Sequence, residues 1–275
     1  MMQDAGPILP QGTVDTHFHL FGPASRYPYA EGRGYTPADA RLDAYLVLAK
    51  SLGISRAVIV QPSPYGTDNR RLLDGLAAAP IPMRGVVAVD ASINDPELAA
   101  MHSLGVRAIR INLVFDAGAA VQTAIRLAPR LQELGWHVQF LADVSIWPEM
   151  EQVIRHLGLP AIFDHLGHMP AAKGVGDPGF QTLLQLMCDG LAWVKASGLY
   201  RMSGQGSPHS DLRPFIDAAI SAAPDRVVWA TDWPHSAIKV PMPDDATLAR
   251  QIVDWLGPGL AQRAFVQNAV TLYGF

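Results

Sequence analysis

His17-Phe18-His19 sets two imidazoles at i and i+2 in the run Thr13-Val14-Asp15-Thr16-His17-Phe18-His19. On an extended chain, residues two apart point the same way, with Cα atoms roughly 6.5–7 Å apart. Two such rings can converge on one metal ion, one water or one carbonyl oxygen. Other short segments carry groups of matching chemistry: Arg110 and Asn112, His165, Tyr200 and Arg201, and Asp232. Histidine and aspartate move protons or bind metals. Arginine binds anions.

These groups sit where strands are expected to end. Apolar, β-branched runs predict strands over 13–19, 56–61, 83–90, 106–113, 137–142, 161–166, 192–198 and 227–232. Helical patterns follow them at 38–52, 69–79, 95–104, 120–134, 147–157, 178–190, 210–222 and 244–256. Asp95-Pro96-Glu97 reads as an N-cap with proline opening the helix, and Gly53, Gly105, Gly135 and Gly158 as helix stops. Eight strand–helix units with no composition break predict one α/β domain over 1–275, a (β/α)8 TIM barrel, with 1–12 as an N-terminal extension. A doubly wound sheet fits less well, because no Gly-x-Gly-x-x-Gly turn follows the first strand. Irregular stretches at 20–37, 61–68, 167–178 and 199–209 all begin at strand ends, on the face where such barrels build active sites.

Taken singly, each polar residue has an ordinary structural reading. His165 could be a satisfied core histidine, Asp232 a turn cap, Arg110 an ion-pair partner and Arg201 a solvated charge. Polar groups at several strand ends are costly in a dry core, however, and together predict a polar pocket. His102 and His156 fall in the last turns of helices, His137 opens a strand at the opposite end, and His209 lies in a polar loop. His168 and His235 follow strands on the active face and stay in second rank.

His17-Phe18-His19, Asp164-His165-Leu166-Gly167 and Thr231-Asp232-Trp233-Pro234-His235 together resemble the amidohydrolase superfamily. More narrowly, the chain resembles the branch of TIM-barrel hydrolases that contains 2-pyrone-4,6-dicarboxylate lactonase. Gln61-Pro62-Ser63-Pro64-Tyr65-Gly66-Thr67-Asp68-Asn69-Arg70, Tyr35-Thr36-Pro37, the 105–112 segment and Met242-Pro243-Asp244-Asp245 add to that likeness. The resemblance runs from about residue 13 to the C-terminus. It implies hydrolysis of a carboxylated lactone, with Asp232 as the general base for water and His17, His19 and His165 polarising the carbonyl. It further implies that Arg110 and Arg201 hold a substrate carboxylate, with Tyr35, Tyr65, Thr67, Asn69 and His235 completing the binding site.

His17, His19, His165 and Asp232 are adequate ligands for a single Zn2+ or Mn2+ ion. Many amidohydrolases add a strand-five histidine and a bridging strand-four lysine or glutamate. Here strand five reads Val138-Gln139-Phe140-Leu141 and strand four offers Arg110 and Asn112, which argues against a binuclear site. The resemblance implies metal-free catalysis, and pocket arginines would repel a cation. The expectation is therefore no cofactor, with the four-residue single-ion site as the alternative.

Two departures narrow the substrate. Asp116 and Leu141 stand where the pyrone lactonase pattern has an arginine and a tyrosine. The aspartate would repel a second carboxylate and the leucine removes a hydroxyl donor. A monocarboxylate or sugar-acid lactone is then as reasonable as the pyrone. A sugar-acid lactone isomerase and a metal-dependent decarboxylase are the alternative enzymes, and a barrel that only binds a sugar acid is the non-enzymatic one.

Composition fits a soluble cytoplasmic protein, and the resemblance implies an enzyme of carboxylic acid catabolism. A net charge of −4 and the lack of a Lys/Arg cluster speak against nucleic acid. The N-terminus has no basic region followed by an apolar run, and no stretch approaches the roughly 18 apolar residues of a membrane span. Cys188 cannot pair within the chain and falls in an apolar helical pattern, which predicts a buried structural thiol. Oligomeric state leaves no trace in the sequence.

Overall fold

The computed structural model describes residues 9–113 and 117–275. Eight parallel strands pair in chain order: β1 (Val14–Phe18), β2 (Arg56–Val60), β3 (Met83–Val87), β4 (Val106–Asn112), β5 (His137–Leu141), β6 (Ala161–Phe163), β7 (Ala192–Ala196) and β8 (Val227–Trp229). Parallel neighbours need long crossovers. Helices α1 (Leu42–Leu52), α2 (Arg70–Ala77), α3 (Asp95–Ser103), α4 (Ala117–Glu133), α5 (Met150–Leu157) and α6 (Pro178–Cys188) supply them as far as β7. The short α7 (Leu199–Met202) and α8 (Arg213–Ala222) lead to β8. After it come α9 (Asp245–Gln262), kinked at Gly257, and α10 (Asn268–Tyr273). The ring closes just past β8, where Asp232 N donates to His17 O (2.9 Å) and His19 N donates to Trp233 O (2.8 Å). The fold is the (β/α)8 TIM barrel that the eight-unit pattern predicts.

Strand alternation sorts side chains into two layers. Ile109 and Ile111 of β4, Val138 and Phe140 of β5, Val194 and Ala196 of β7, and Val227 and Trp229 of β8 join the large apolar cluster shared with the helices. Residues of opposite parity face the barrel axis, where Val14, Ile162, Trp193 and Val228 form one small cluster and Val58, Val60, Val86 and Ala108 another. Tyr273 packs against the second cluster, with its ring edge-on to His137 at the floor. Arg110, Gln139, Asp164 and Lys195 share the inward parity of Ala108, His137, Ile162 and Trp193. Polar side chains therefore stack along the axis above an apolar floor.

The helix starting near residue 95 is capped one residue earlier than the sequence pattern suggests. Asn94 is the N-cap, and it forms a reciprocal capping box with Glu97. Cys188 is exposed rather than buried, because it ends α6 and its thiol turns to Ala222 O. The 199–209 stretch, read as loop, opens with α7. Asp116 lies outside the described residues. Among the described residues, no helix is long and apolar enough to cross a membrane.

Candidate active site

A bulge in β1 aims the histidine pair. Asp15 pairs with Ala57 and Phe18 with Ile59, so three steps on β1 oppose two on β2. Regular alternation from the inward Val14 would turn His17 and His19 toward the helices. With the extra residue, Asp15 and Phe18 face outward and His17 and His19 face the axis. Phe18 stacks on Tyr45 (centroids 3.5 Å apart). Asp15 accepts bonds from Tyr45 OH (2.9 Å), Thr231 Oγ1 (2.6 Å) and Thr231 N (2.9 Å), which fastens the end of β8 to β1.

Asp232 and His165 occupy unusual backbone. Asp232 has φ 65°, and His165, Leu166, Gly167 and His168 form a left-handed run with φ 51°, 51°, 75° and 49°. Each non-glycine residue there costs on the order of 1–3 kcal/mol, and such conformations cluster at functional sites. They bring four side chains together. His17 Nε2 lies 3.2 Å from His19 Nε2 and 3.9 Å from Asp232 Oδ1, and His165 Nε2 lies 3.7 Å from the same oxygen. Outer nitrogens are anchored: His19 Nδ1 lies 2.8 Å from Val60 O and His165 Nδ1 lies 3.0 Å from Ser197 Oγ.

Electrostatics keep the carboxylate charged and the imidazoles neutral. Burial pushes Asp232 up, but neighbouring charge, led by the Arg201 guanidinium, outweighs it and holds the carboxyl well below the usual range. Arg201 Nε donates to Oδ2 at 2.6 Å, and Tyr200 OH donates to the same oxygen at 2.6 Å. Oδ1 is buried with no hydrogen-bond partner among the described residues. Burial lowers all three histidines: His17 well below the usual imidazole value, His19 to about 4 and His165 to about 3. At neutral pH the cluster holds one anion and three neutral rings.

Beneath it lies a second polar group. Asp164 Oδ1 is 3.2 Å from both Lys195 Nζ and His17 Nδ1, while Oδ2 accepts from Gln139 Nε2 (3.2 Å) and Arg110 Nη2 (3.3 Å). Burial raises Asp164, but Lys195, His17 and Arg110 more than offset it, leaving the carboxyl well below its ordinary range. Asp164, Lys195 and Gln139 carry no assigned role in the sequence reading. A lysine inside Ala192-Trp193-Val194-Lys195-Ala196 was the available signal, since a fully buried ammonium needs a partner.

Above the cluster opens a cavity of about 570 Å³, with His19, Arg110, His165, Arg201 and Asp232 in its wall. Comparison with known proteins identifies the family. The family description for amidohydrolases matches residues 14–275. The chain belongs to the amidohydrolase family. It is 35% identical to 2-pyrone-4,6-dicarboxylate hydrolase of Comamonas testosteroni, covering 96% of this chain and 91% of that one. It is 34% identical to 4-sulfomuconolactone hydrolase of Hydrogenophaga intermedia, over 97% and 90% of the two chains. A Pseudomonas putida structure assigned as 2-pyrone-4,6-dicarboxylic acid hydrolase superposes with a TM-score of 0.83 at 35% identity, covering 97% of this chain and 98% of that one.

The remaining candidates of this amidohydrolase lie in several places. Tyr35 lines the cavity, its hydroxyl 3.1 Å from Ser236 Oγ, and Leu141 and His168 line it too. Tyr65 is buried in an aromatic cluster with Phe21 and Tyr27, and its hydroxyl accepts from Gly22 N (2.8 Å). Asn69 clasps the end of β3, donating to Ala88 O (2.8 Å) and accepting from Ala88 N (3.0 Å), while Thr67 is exposed. His235 sits behind Asp232, with Nδ1 2.8 Å from Tyr200 OH and Nε2 3.1 Å from Asp245 Oδ1. Arg110 turns part of its head inward, donating to Gln61 O (3.0 Å) as well as to Asp164.

Groups able to hold an ion are present: His17, His19 and Asp232 offer one, and His17, Asp164 and His165 another. The orphaned Oδ1 of Asp232 and the Nε2 atoms of His17 and His19 fit a single ion of the Zn2+ or Mn2+ kind, with His165 Nε2 3.7 Å from that oxygen. Gln139 and Leu141 on β5 add no strong ligand for a second.

Proposed function

We propose that this chain hydrolyses a lactone bearing a carboxylate, using Asp232 to activate water. The observation that carries the reading is the ionised, unpartnered Oδ1 of Asp232, set among three neutral imidazoles at the base of a cavity walled by two arginines. A water bound by Oδ1 loses its proton to that oxygen as it attacks the lactone carbonyl. His17, His19 and His165 surround the site where the oxyanion develops. Collapse of the tetrahedral intermediate breaks the ring C–O bond, and the proton held by Asp232 passes to the leaving oxygen. Arg110 and Arg201 hold the substrate carboxylate, with Tyr35 from the facing loop. Tyr65, Thr67, Asn69 and His235 act by shaping the loops around that cavity.

His17, His19, His165 and Asp232 are also the residues that would hold a single divalent ion. Bound there, it would polarise the carbonyl and acidify water. The reading adopted is catalysis by the residues themselves, without a cofactor. Leu141 in the wall offers no hydroxyl to a substrate, which favours a lactone other than the pyrone dicarboxylate. A cytoplasmic location and a place in carboxylic acid catabolism accord with such a substrate.

A panel of pyrone, monocarboxylate and sugar-acid lactones, followed by acid release with and without chelator, tests the reading. Ring opening that survives chelation is the expected result. An isomeric lactone without acid release would move the assignment to isomerisation, and carbon dioxide release abolished by chelator would move it to decarboxylation.

A further inference from the structure

Lys195 stands directly beneath His17, and its surroundings decide which nitrogen of that histidine carries the proton. The ammonium has three N–H donors and no acceptor. Three acceptors surround it: Thr16 O at 3.1 Å, Asp164 Oδ1 at 3.2 Å and His17 Nδ1 at 3.2 Å. Asp164 does not need His17 as a donor, since Lys195, Arg110 and Gln139 already serve its two oxygens. Gln139 Nε2, a second donor, lies 3.5 Å from His17 Nδ1.

The far side of the pair points the same way. Val60 O only accepts, so His19 carries its proton on Nδ1 and presents a lone pair at Nε2. His17 Nε2 is 3.2 Å from that lone pair. With its proton on Nδ1, His17 would oppose a second lone pair to the first in a water-poor pocket. With its proton on Nε2, the contact becomes an N–H···N hydrogen bond.

We propose that Lys195 is a positioning residue that donates to His17 Nδ1 and thereby fixes His17 as the Nε2–H tautomer. Donors then run in one direction, from Lys195 through His17 and His19 to Val60 O. The Nε2–H of His17 is then engaged by His19 Nε2, beside the reacting centre and 3.9 Å from Asp232 Oδ1. An ion bound by both Nε2 atoms requires the opposite tautomer, with the proton on Nδ1 and directed to Asp164. Lys195 therefore biases the histidine pair toward hydrogen bonding and against an ion.

The catalytic consequence rests on the lactone-hydrolase reading, whereas the tautomer is a property of the resting protein. Long-range 1H–15N NMR of chelator-dialysed, 15N-histidine-labelled full chain reads it, with His17 assigned by loss of its signals in His17→Gln. The expected wild-type result is a protonated Nε2 and a bare Nδ1. A protonated Nδ1 overturns the proposal, whether or not any lysine variant folds. In Lys195→Met the tautomer should shift toward Nδ1–H. Zinc affinity, measured by competition with a chromophoric chelator, should rise about tenfold to a hundredfold, the range typical of groups behind a metal ligand. Unchanged tautomer and zinc affinity in folded Lys195→Met also overturn it. An Nε2–H tautomer in a protein that opens no lactone would retain this inference and remove the catalytic reading.

Discussion

Asp232 and His165 face each other across 3.7 Å, carboxylate Oδ1 to imidazole Nε2, and both residues hold left-handed backbone at φ 65° and 51°. That separation is too long for a direct hydrogen bond and leaves both atoms free to bond a third group. The strain and the orphaned oxygen (the latter about 1–3 kcal/mol) are costs that a purely structural role would not retain. Their use is to present a charged acceptor beside neutral rings.

The acid limb of activity should lie low. Burial, then the charge of Arg110, lower His19 to about 4, and Asp232 is held lower than an ordinary carboxyl. Folded-state values are depressed, so the working protonation state is present at neutral pH and is lost as pH falls through about 4. A profile of kcat/KM should be flat from about pH 5 to 7. A limb near the ordinary imidazole value of about 6.5 would contradict this.

Arg201→Gln should move that limb upward. Removing the guanidinium that donates to Asp232 Oδ2 at 2.6 Å leaves the upward push of burial opposed by less charge. KM should also rise, about tenfold or more, if the same group holds the substrate carboxylate. The check is the pH profile with both constants measured; an unmoved limb counts against the pairing.

Gly198→Ala should damage the site without replacing a catalytic residue. Gly198 has φ +61°, and an added Cβ would stand 2.6 Å from His165 Nδ1 and 2.9 Å from its Cγ. The imidazole must shift and weaken its contact with Ser197. Thermal unfolding should show a loss of about 1–3 kcal/mol, and kcat should fall about a hundredfold. Wild-type values in both would show that the loop yields.

Tyr200→Phe removes a hydroxyl that donates to Asp232 Oδ2 at 2.6 Å and meets His235 Nδ1 at 2.8 Å. A hydrogen bond to a charged acceptor is worth about 1.5–3 kcal/mol, so kcat/KM should drop roughly tenfold to a hundredfold. Steady-state kinetics at neutral pH measure it, and an unchanged kcat/KM would show that Arg201 alone orients the carboxylate.

Much of this was legible in the sequence, for reasons that differ by element. Strands such as Val106–Asn112 announce themselves by β-branched residues, and their ends place Arg110, His165 and Asp232 on one face. The β1 bulge was not legible, because alternation in Val14–Phe18 gives no sign of where a residue is inserted. Nor were the partners of Asp164, since a contact between Lys195 on β7 and His17 on β1 spans 178 residues. Asn69 and Tyr65 show the converse limit: polar residues at loop starts also serve the backbone, as in the clasp on Ala88. Cys188 misled because an apolar helical pattern does not say which face its last turn exposes.

The central claim is that Asp232 takes the proton from water, and Asp232→Asn tests it most directly. Asparagine keeps the shape and an oxygen for Arg201 but cannot serve as the base. With a lactone that the wild-type protein opens, kcat should fall by about a hundredfold to ten-thousandfold, while calorimetric affinity for the carboxylate product stays within a few-fold. Turnover within tenfold of wild type would contradict the account.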